Sequence, residues 1–197
     1  MTIQLHGEVT SGRPLLVLAV PEEAQFLDTS LPVLLTGMGK VNAATALAMT
    51  LGRGPAPSLV VNLGTAGALR PGLGGMHAVR TVIQHDLDTD MLQTLTGVAY
   101  GTQITLADGA DSGAVLASGD AFIADADARD MLANQADLVD MEGYAVAAAA
   151  ASARVPVSMV KHVTDEADEH AAKSWRESVA VSARELAAWA AANVPGY

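Results

Sequence analysis

The sequence predicts an α/β fold: a three-layer α/β/α sandwich with a mostly parallel central sheet. Apolar runs of strand length alternate with helical segments along most of the 197 residues, and this alternation is typical of parallel sheets with crossover helices. Half of the residues are apolar but only 4% are aromatic, which favours small side chains packed between helices and sheet. The length predicts a single domain, residues 1–197.

The first half of the chain contains four predicted strands. A short strand around residues 3–5 is followed by apolar runs at residues 15–20, 31–35 and 59–63. Proline and acids after the second strand are typical of a helix opening, because both suit unpaired backbone N–H groups. The third strand ends in a glycine-containing turn, which lets the backbone approach a ligand or another loop, before a helix over residues 41–51. Small residues at 64–68 predict a further loop that either turns the chain or binds an anion or a sugar.

The second half of the chain contains four more core elements and a final helix. A longer strand at residues 76–84 is predicted near the sheet periphery, and residues 94–113 are interpreted as a loop with one edge strand at 103–106. Strands follow at residues 114–117, at 138–142 and at 157–163, with a helix after each. The last helix, residues 171–193, carries Trp175, Val179, Leu186 and Trp189 at helical spacing, and we interpret this stripe as core packing.

Composition excludes several classes of function. The formal charge of −11 and the lack of a basic patch argue against nucleic-acid binding. The absence of cysteine excludes disulfides and thiolate chemistry. No segment resembles a signal peptide or a membrane span, so we expect a cytoplasmic enzyme. His85, Asp86 and Asp88 could ligate a metal, but a solvated loop is the commoner explanation, and neither metal nor other cofactor is predicted.

Acidic residues follow three predicted strands. Glu142 and Asp165 end neighbouring strands, and a parallel crossover would bring both to the sheet edge where ligands bind in such folds. Glu23 follows an earlier strand, although taken alone it is typical of a helix opening. The sequence lacks the Gly-x-Ser-x-Gly motif of serine hydrolases. These residues favour acid–base chemistry on a flat, hydroxyl-bearing substrate, of which glycosidic cleavage is one example.

Six segments carry a family resemblance: VPEE, LLTGMGKVNAA, VVNLGTAGAL, SGDAFI, LVDMEGYAVA and VKHVTDEAD. In this order they resemble the signatures of the nucleoside phosphorylase superfamily, especially its nucleosidase branch. That branch hydrolyses methylthioadenosine and S-adenosylhomocysteine, an activity of methionine salvage. The resemblance covers the chain from about residue 15 to the final helix.

The resemblance implies a role for each of seven residues. Glu142 would accept the ribose 2′ and 3′ hydroxyls, and Met141 would lie against the sugar. Asp165 would protonate purine N7 as the bond to C1′ breaks, and Glu23 would take a proton from the attacking water. Phe122 would stack on the base, the Ile123 backbone would contact the edge of the base, and Thr65 would lie near the sugar or the water. Asp165 must then be protonated at working pH, so we expect burial or neighbouring acids to raise its pKa.

Two departures from the family pattern concern the nucleophile and the substrate. Similar phosphorylases bind phosphate through an arginine where Asn62 stands, so water is the favoured nucleophile. The family usually has arginine where Lys161 stands. The chain is shorter than its relatives between His85 and Ala114, where relatives build the pocket for the 5′ substituent. The sequence therefore does not determine the 5′ substituent of the substrate.

The alternative functions are a purine nucleoside phosphorylase, a futalosine hydrolase and a non-catalytic nucleoside-binding domain. The predicted partners are a nucleoside and water, with no nucleic acid and no membrane. A homodimer is also expected, because the alanine-rich helix after Tyr144 is more apolar than one helix needs. A helix buried within a monomer would have the same composition.

Overall fold

The computed structural model describes residues 4–106 and 113–197. Its strands are β1 Gln4–His6, β2 Leu15–Leu18, β3 Val33–Leu35, β4 Val60–Ala68, β5 Gly75–Gln84, β6 Ile104–Thr105, β7 Ala114–Ser118, β8 Leu138–Asp140 and β9 Val157–Asp165. Its helices are α1 Pro21–Ala24, α2 Lys40–Arg53, α3 Thr89–Thr96, α4 Ala126–Leu132, α5 Gly143–Ser152 and α6 Ala171–Asn193. The predicted strand around residues 3–5 falls partly outside the described residues.

The strands form one mixed sheet that closes on itself at one end. The order is β1-β3-β2-β4-β8-β7-β5-β6, and β9 pairs with both β4 and β5. Strands β4, β8, β7, β5 and β9 therefore form a ring. Within the described ranges the parallel pairs are β2–β3, β2–β4, β4–β9, β5–β7 and β7–β8, and the remaining four pairs are antiparallel. The predicted α/β sandwich is confirmed, with a sheet that is mixed.

Helices cover both faces of the sheet, which explains why the inner strand β2 is apolar throughout. In β2, Leu15 and Val17 pack in one core cluster with α2 and α5, whereas Leu16 and Leu18 pack in a second with α6. Successive side chains of a strand point to opposite faces, so a strand between two helix layers is buried on both sides. All four residues are fully buried.

Strand β4 is longer than predicted, and this difference shapes the site. We expected a strand at residues 59–63 followed by a loop, but the small residues continue the strand to Ala68. Two glycines are needed there because other side chains approach the backbone closely. A Cβ on Gly64 would lie 3.2 Å from Lys161 Nζ, and a Cβ on Gly67 would lie 2.9 Å from Asp165 Oδ1.

The expectation that Glu142 and Asp165 end neighbouring strands of a parallel crossover is wrong, because β4 lies between the two strands. Strand β8 pairs antiparallel with the end of β4, at Gly67 and Ala68. Strand β9 pairs in parallel with β4 on its other side, with a register shift between Ala66 and Gly67. The end of β4 thus lies between the two strands, and its pairing with both brings their ends to one place.

Helix α5 is buried within the monomer. Ala145, Val146, Ala147 and Ala150 are inaccessible or nearly so, and they belong to the same core cluster as residues of α2. The alanine-rich composition is therefore explained by the close approach of two helices and the sheet. It gives no reason to expect a dimer.

Helix α6 and strand β5 lie where they were predicted, whereas α3 overlaps a predicted loop. Helix α6 spans residues 171–193 as predicted, and β5 lies next to the edge strand β6. Helix α3 lies partly within the predicted loop of residues 94–113, and residues 107–112 of that loop are outside the described part. Among the described helices, none is long and apolar enough to cross a membrane.

Candidate active site

A cavity of about 310 Å³ opens where the ends of β4, β8 and β9 meet. Its wall includes all seven residues selected from the sequence: Glu23, Thr65, Phe122, Ile123, Met141, Glu142 and Asp165. A concave site with a few convergent polar groups is the usual form of a small-molecule binding site. The structure therefore brings together residues that lie up to 142 positions apart, from 23 to 165.

Glu23 is held by three donors although it sits on a helix of only four residues. Its side chain is 5% exposed. Oε1 accepts hydrogen bonds from the Thr65 N–H at 2.8 Å and the Thr65 hydroxyl at 2.9 Å. Oε2 accepts from the Ala19 N–H at 3.2 Å. Donors of this kind stabilise the carboxylate and fix its orientation.

Glu142 occupies the turn between β8 and α5 and is also buried. Its Oε1 accepts the Gly39 N–H at 2.7 Å, so the glycine turn before α2 contacts another loop, as the sequence indicated. Burial, followed by the charge of Asp140, raises the pKa of Glu142 to about 8, against the opposing effect of Lys161 and Gly39. A carboxyl group whose pKa lies near 8 is mostly protonated at neutral pH.

A buried ion pair beneath the cavity was missed by the sequence analysis. Lys161 Nζ lies 2.9 Å from Asp140 Oδ2, and both side chains are almost fully buried. The Ser118 hydroxyl donates to Asp140 Oδ1 at 2.5 Å. Burial alone would lower the pKa of Lys161, but the charges of Asp140 and Glu142 outweigh it and raise the pKa. A lysine within an apolar strand was the available signal, because a buried cation needs a partner.

Asp165 ends β9 in a half-buried position against β4. Oδ2 accepts the Thr164 hydroxyl at 2.8 Å and Oδ1 accepts the Ala167 N–H at 3.0 Å. Burial raises the pKa of Asp165, and these two hydrogen bonds oppose only part of that effect. The direction is the one expected from the sequence. A carboxyl group with a raised pKa can act as a proton donor near neutral pH.

Phe122 and Ile123 lie on a loop that an ionic network fixes to the rest of the site. Phe122 is 49% exposed at the cavity wall. Asp120 in the same loop accepts the Lys40 N–H at 2.7 Å and donates its own N–H to Asp86 at 2.9 Å. The Lys40 ammonium in turn pairs with Asp86. An exposed aromatic ring on a fixed loop offers a flat surface to a flat ligand.

The structure does not support the alternative metal site. Asp86 belongs to the network around Lys40, and Asp88 caps α3 by accepting the Met91 N–H. Within residues 4–106 and 113–197, no group of three histidine or acidic side chains is placed to hold a metal ion.

The interpretation of Trp175 as core packing is wrong. Val179 and Leu186 on α6 are buried as expected, but Trp175 lies one turn earlier and lines the cavity. Its indole N–H donates to Thr65 Oγ1 at 3.0 Å. Arg176 also reaches the cavity wall. Helical spacing alone could not reveal this, because it shows which side chains share a face of α6 but not that the cavity lies opposite Trp175.

A match with a protein family covers most of the chain. The family model described as the phosphorylase superfamily matches residues 28–194. A curated 5′-methylthioadenosine/S-adenosylhomocysteine nucleosidase from Anoxybacillus flavithermus is 31% identical over 178 residues, covering 77% of this chain and 75% of the relative.

Two solved structures from Helicobacter pylori have the same fold. A 5′-methylthioadenosine/S-adenosylhomocysteine nucleosidase has a TM-score of 0.79 at 22% identity and covers 92% of this chain and 97% of its own. A futalosine hydrolase has a TM-score of 0.78 at 21% identity and covers 90% of this chain and 95% of its own. The family match, the curated relative and the shared fold agree, and this chain belongs to the phosphorylase superfamily.

Proposed function

We propose that the protein is a purine nucleosidase that hydrolyses nucleosides of the 5′-methylthioadenosine or S-adenosylhomocysteine type to free base and a ribose derivative. One observation carries the proposal: Glu23, Glu142 and Asp165 line a single cavity together with the exposed ring of Phe122. The curated relative, which is named as such a nucleosidase, supports it.

The binding roles follow from the position of each group. The Glu142 carboxylate would accept hydrogen bonds from the ribose 2′ and 3′ hydroxyls, with Met141 against the sugar. Phe122 would stack on the purine, and the Ile123 backbone would contact the edge of the base. Hydroxyl donors favour the ionised form of a carboxylate. We therefore expect nucleoside binding at neutral pH to displace a proton from Glu142, whose pKa is raised.

The reaction requires two proton transfers: one to the leaving base and one from the attacking water. As the bond between purine N9 and C1′ breaks, Asp165 would protonate N7, so that the base leaves as a neutral molecule. Water would attack C1′ and give a proton to Glu23, whose carboxylate Thr65 orients. Positive charge develops on the ribose in such cleavages. The acidic wall of the cavity would stabilise that charge.

Water rather than phosphate is the proposed nucleophile. Asn62, at the position where similar phosphorylases carry arginine, is 2% exposed and donates its side-chain N–H to Val17 O at 2.9 Å. The Thr65 N–H, which could otherwise contact an anion, is bonded to Glu23. A doubly charged phosphate would also be repelled by the neighbouring carboxylates.

Futalosine hydrolysis is the second candidate, favoured by the structural likeness to a futalosine hydrolase. The deciding experiment incubates the protein with methylthioadenosine, S-adenosylhomocysteine, adenosine, inosine and futalosine in phosphate-free buffer. Chromatography then measures the free base. Release of adenine without phosphate supports the proposal, whereas turnover that requires phosphate indicates a phosphorylase. Binding without release of base would indicate a non-catalytic nucleoside-binding domain.

A homodimer is also proposed, but from a different surface than the sequence suggested. Helix α3 buries none of its residues, and Met91, Leu95 and Val98 in or beside it are 52%, 72% and 52% exposed. Contiguous exposed apolar side chains are typical of an interface, and a second copy of the chain would cover them. Analytical ultracentrifugation of wild type and Leu95→Glu tests this, and a monomeric wild-type protein would exclude it.

The remaining parts of the proposal concern cellular context. We propose a single domain over residues 1–197, a cytoplasmic location and a place in methionine salvage. The lack of cysteine fits a reducing compartment. Cell fractionation checks the location, and growth on methylthioadenosine as the sulfur source checks the pathway.

A further inference from the structure

The indole N–H of Trp175 makes a contact that the proposed reaction does not use. It donates to Thr65 Oγ1 at 3.0 Å across 110 residues of sequence. Trp175 lines the cavity from the first turns of α6, whereas Thr65 lies in β4. The bond therefore connects the final helix to the centre of the sheet at the site.

Hydrogen-bond chemistry fixes the direction of the Thr65 hydroxyl. An indole N–H can only donate, and a hydroxyl has one proton to give. The Thr65 oxygen accepts from Trp175, so its own proton is free to point elsewhere. The acceptor within reach is Glu23 Oε1 at 2.9 Å. The contact with Trp175 therefore favours the rotamer in which Thr65 donates to Glu23.

This arrangement makes the two oxygens of Glu23 unequal. Oε1 accepts two hydrogen bonds, both from Thr65, and each carboxylate oxygen has two lone-pair sites. Oε2 accepts only the Ala19 N–H, at 3.2 Å. Oε2 is therefore the oxygen with acceptor capacity left for a proton from water.

We propose that Trp175 is a positioning residue for Glu23: through Thr65 it saturates Oε1 and leaves Oε2 to accept the proton of the attacking water. This inference rests on the proposed nucleosidase function and adds a residue to it. It assigns Trp175 a polar role that another large aromatic side chain would not reproduce.

The first test is Trp175→Phe, which keeps an aromatic wall and removes the N–H. We expect kcat to fall about fivefold, the effect of one lost hydrogen bond, with KM changed less than about twofold because the wall remains. Trp189→Phe is the matched control, since Trp189 lies on the same helix but packs in the core. It should leave kcat unchanged.

A double-mutant cycle separates the proposed role from a merely structural one. Thr65→Val removes the hydroxyl that links the two residues. If Trp175 acts through Thr65, then Trp175→Phe should have almost no further effect on kcat in a Thr65→Val background. Thr65→Ser keeps the hydroxyl and should restore the sensitivity to Trp175→Phe. Equal effects of Trp175→Phe with and without the hydroxyl would overturn the proposal.

The hydrogen bond itself can be observed without catalysis. The chain has two tryptophans, so a ¹H–¹⁵N NMR spectrum contains two indole signals, and Trp175→Phe assigns them. Thr65→Val should shift the Trp175 signal and speed its exchange with water, while the Trp189 signal stays in place. An unmoved Trp175 signal would refute the contact. Failure of the wild-type protein to release any base would instead refute the proposed function, whatever the spectrum shows.

Discussion

The buried carboxyl group of Glu142 should make the stability of the protein fall with rising pH. Glu142 is 9% exposed, and its pKa is raised from 4.5 in the unfolded chain to about 8 in the folded protein. Between these values the folded state keeps a proton that the unfolded chain has released. The free energy of unfolding must therefore decrease as pH rises through this window, and the effect ends above about pH 8.

The substitution Glu142→Gln isolates this contribution. Glutamine has the same shape, can still accept the Gly39 N–H, and carries no titrating proton. One full proton of difference corresponds to about 1.4 kcal/mol per pH unit. Between about pH 5.5 and pH 7.5, the free energy of unfolding of wild type should therefore decrease by up to about 3 kcal/mol more than that of the variant. At the higher pH the variant should be the more stable protein, although it lacks the carboxylate proposed to hold the ribose.

Urea denaturation of both proteins at the two pH values measures the difference directly. Titrating groups that do not interact with Glu142 are common to both proteins, so their contributions cancel when the two curves are subtracted. Glu22→Gln is the control, because Glu22 is exposed on the same helix as Glu23, and it should follow wild type. Parallel curves for wild type and Glu142→Gln would show that Glu142 is already ionised in the folded protein, and the reasoning would fail.

Three further predictions concern the reaction and its geometry. Asp165→Asn should lower kcat by about 10²- to 10³-fold in an assay of base release, since it removes the proton donor, and unchanged turnover would exclude Asp165 from the mechanism. Gly67→Ala should lower both Tm and kcat, because the new Cβ would lie 2.9 Å from Asp165 Oδ1; Gly74→Ala, which meets no atom within 4 Å, is the control. Binding of a non-hydrolysable nucleoside analogue at neutral pH should release a proton from Glu142, and calorimetry in two buffers of different ionisation enthalpy should detect it.

Much of the fold could be predicted because its signals are local. Runs such as residues 15–20 are apolar at every position, and only a strand covered on both faces needs that pattern. The boundaries of α6 could also be predicted, because its apolar residues recur at helical spacing. The extension of β4 to Ala68 could not be predicted, because the glycines at 64 and 67 are typical of a turn. Only the neighbouring side chains of Lys161 and Asp165 explain why small residues are needed.

The sequence predicted which residues line the candidate site but not the contacts between their side chains. The motifs selected seven residues that line one cavity, although their catalytic roles stay predictions. The ion pair between Lys161 and Asp140 was not found, because a pair 21 residues apart leaves no periodic signal. The Trp175 side chain was assigned to the core for a similar reason. Helical spacing shows which side chains share a face of the helix, but not which part of the protein that face contacts.

The sequence by itself determined the α/β class, the apolar strands, the final helix and the acidic residues available for chemistry. These properties depend on local composition and periodicity, which each segment carries independently of the others. The tertiary structure alone decided that β4 pairs with both β8 and β9, that Lys161 neutralises Asp140, and that Trp175 contacts Thr65. Such contacts depend on where distant segments meet, and packing of the whole chain sets that position.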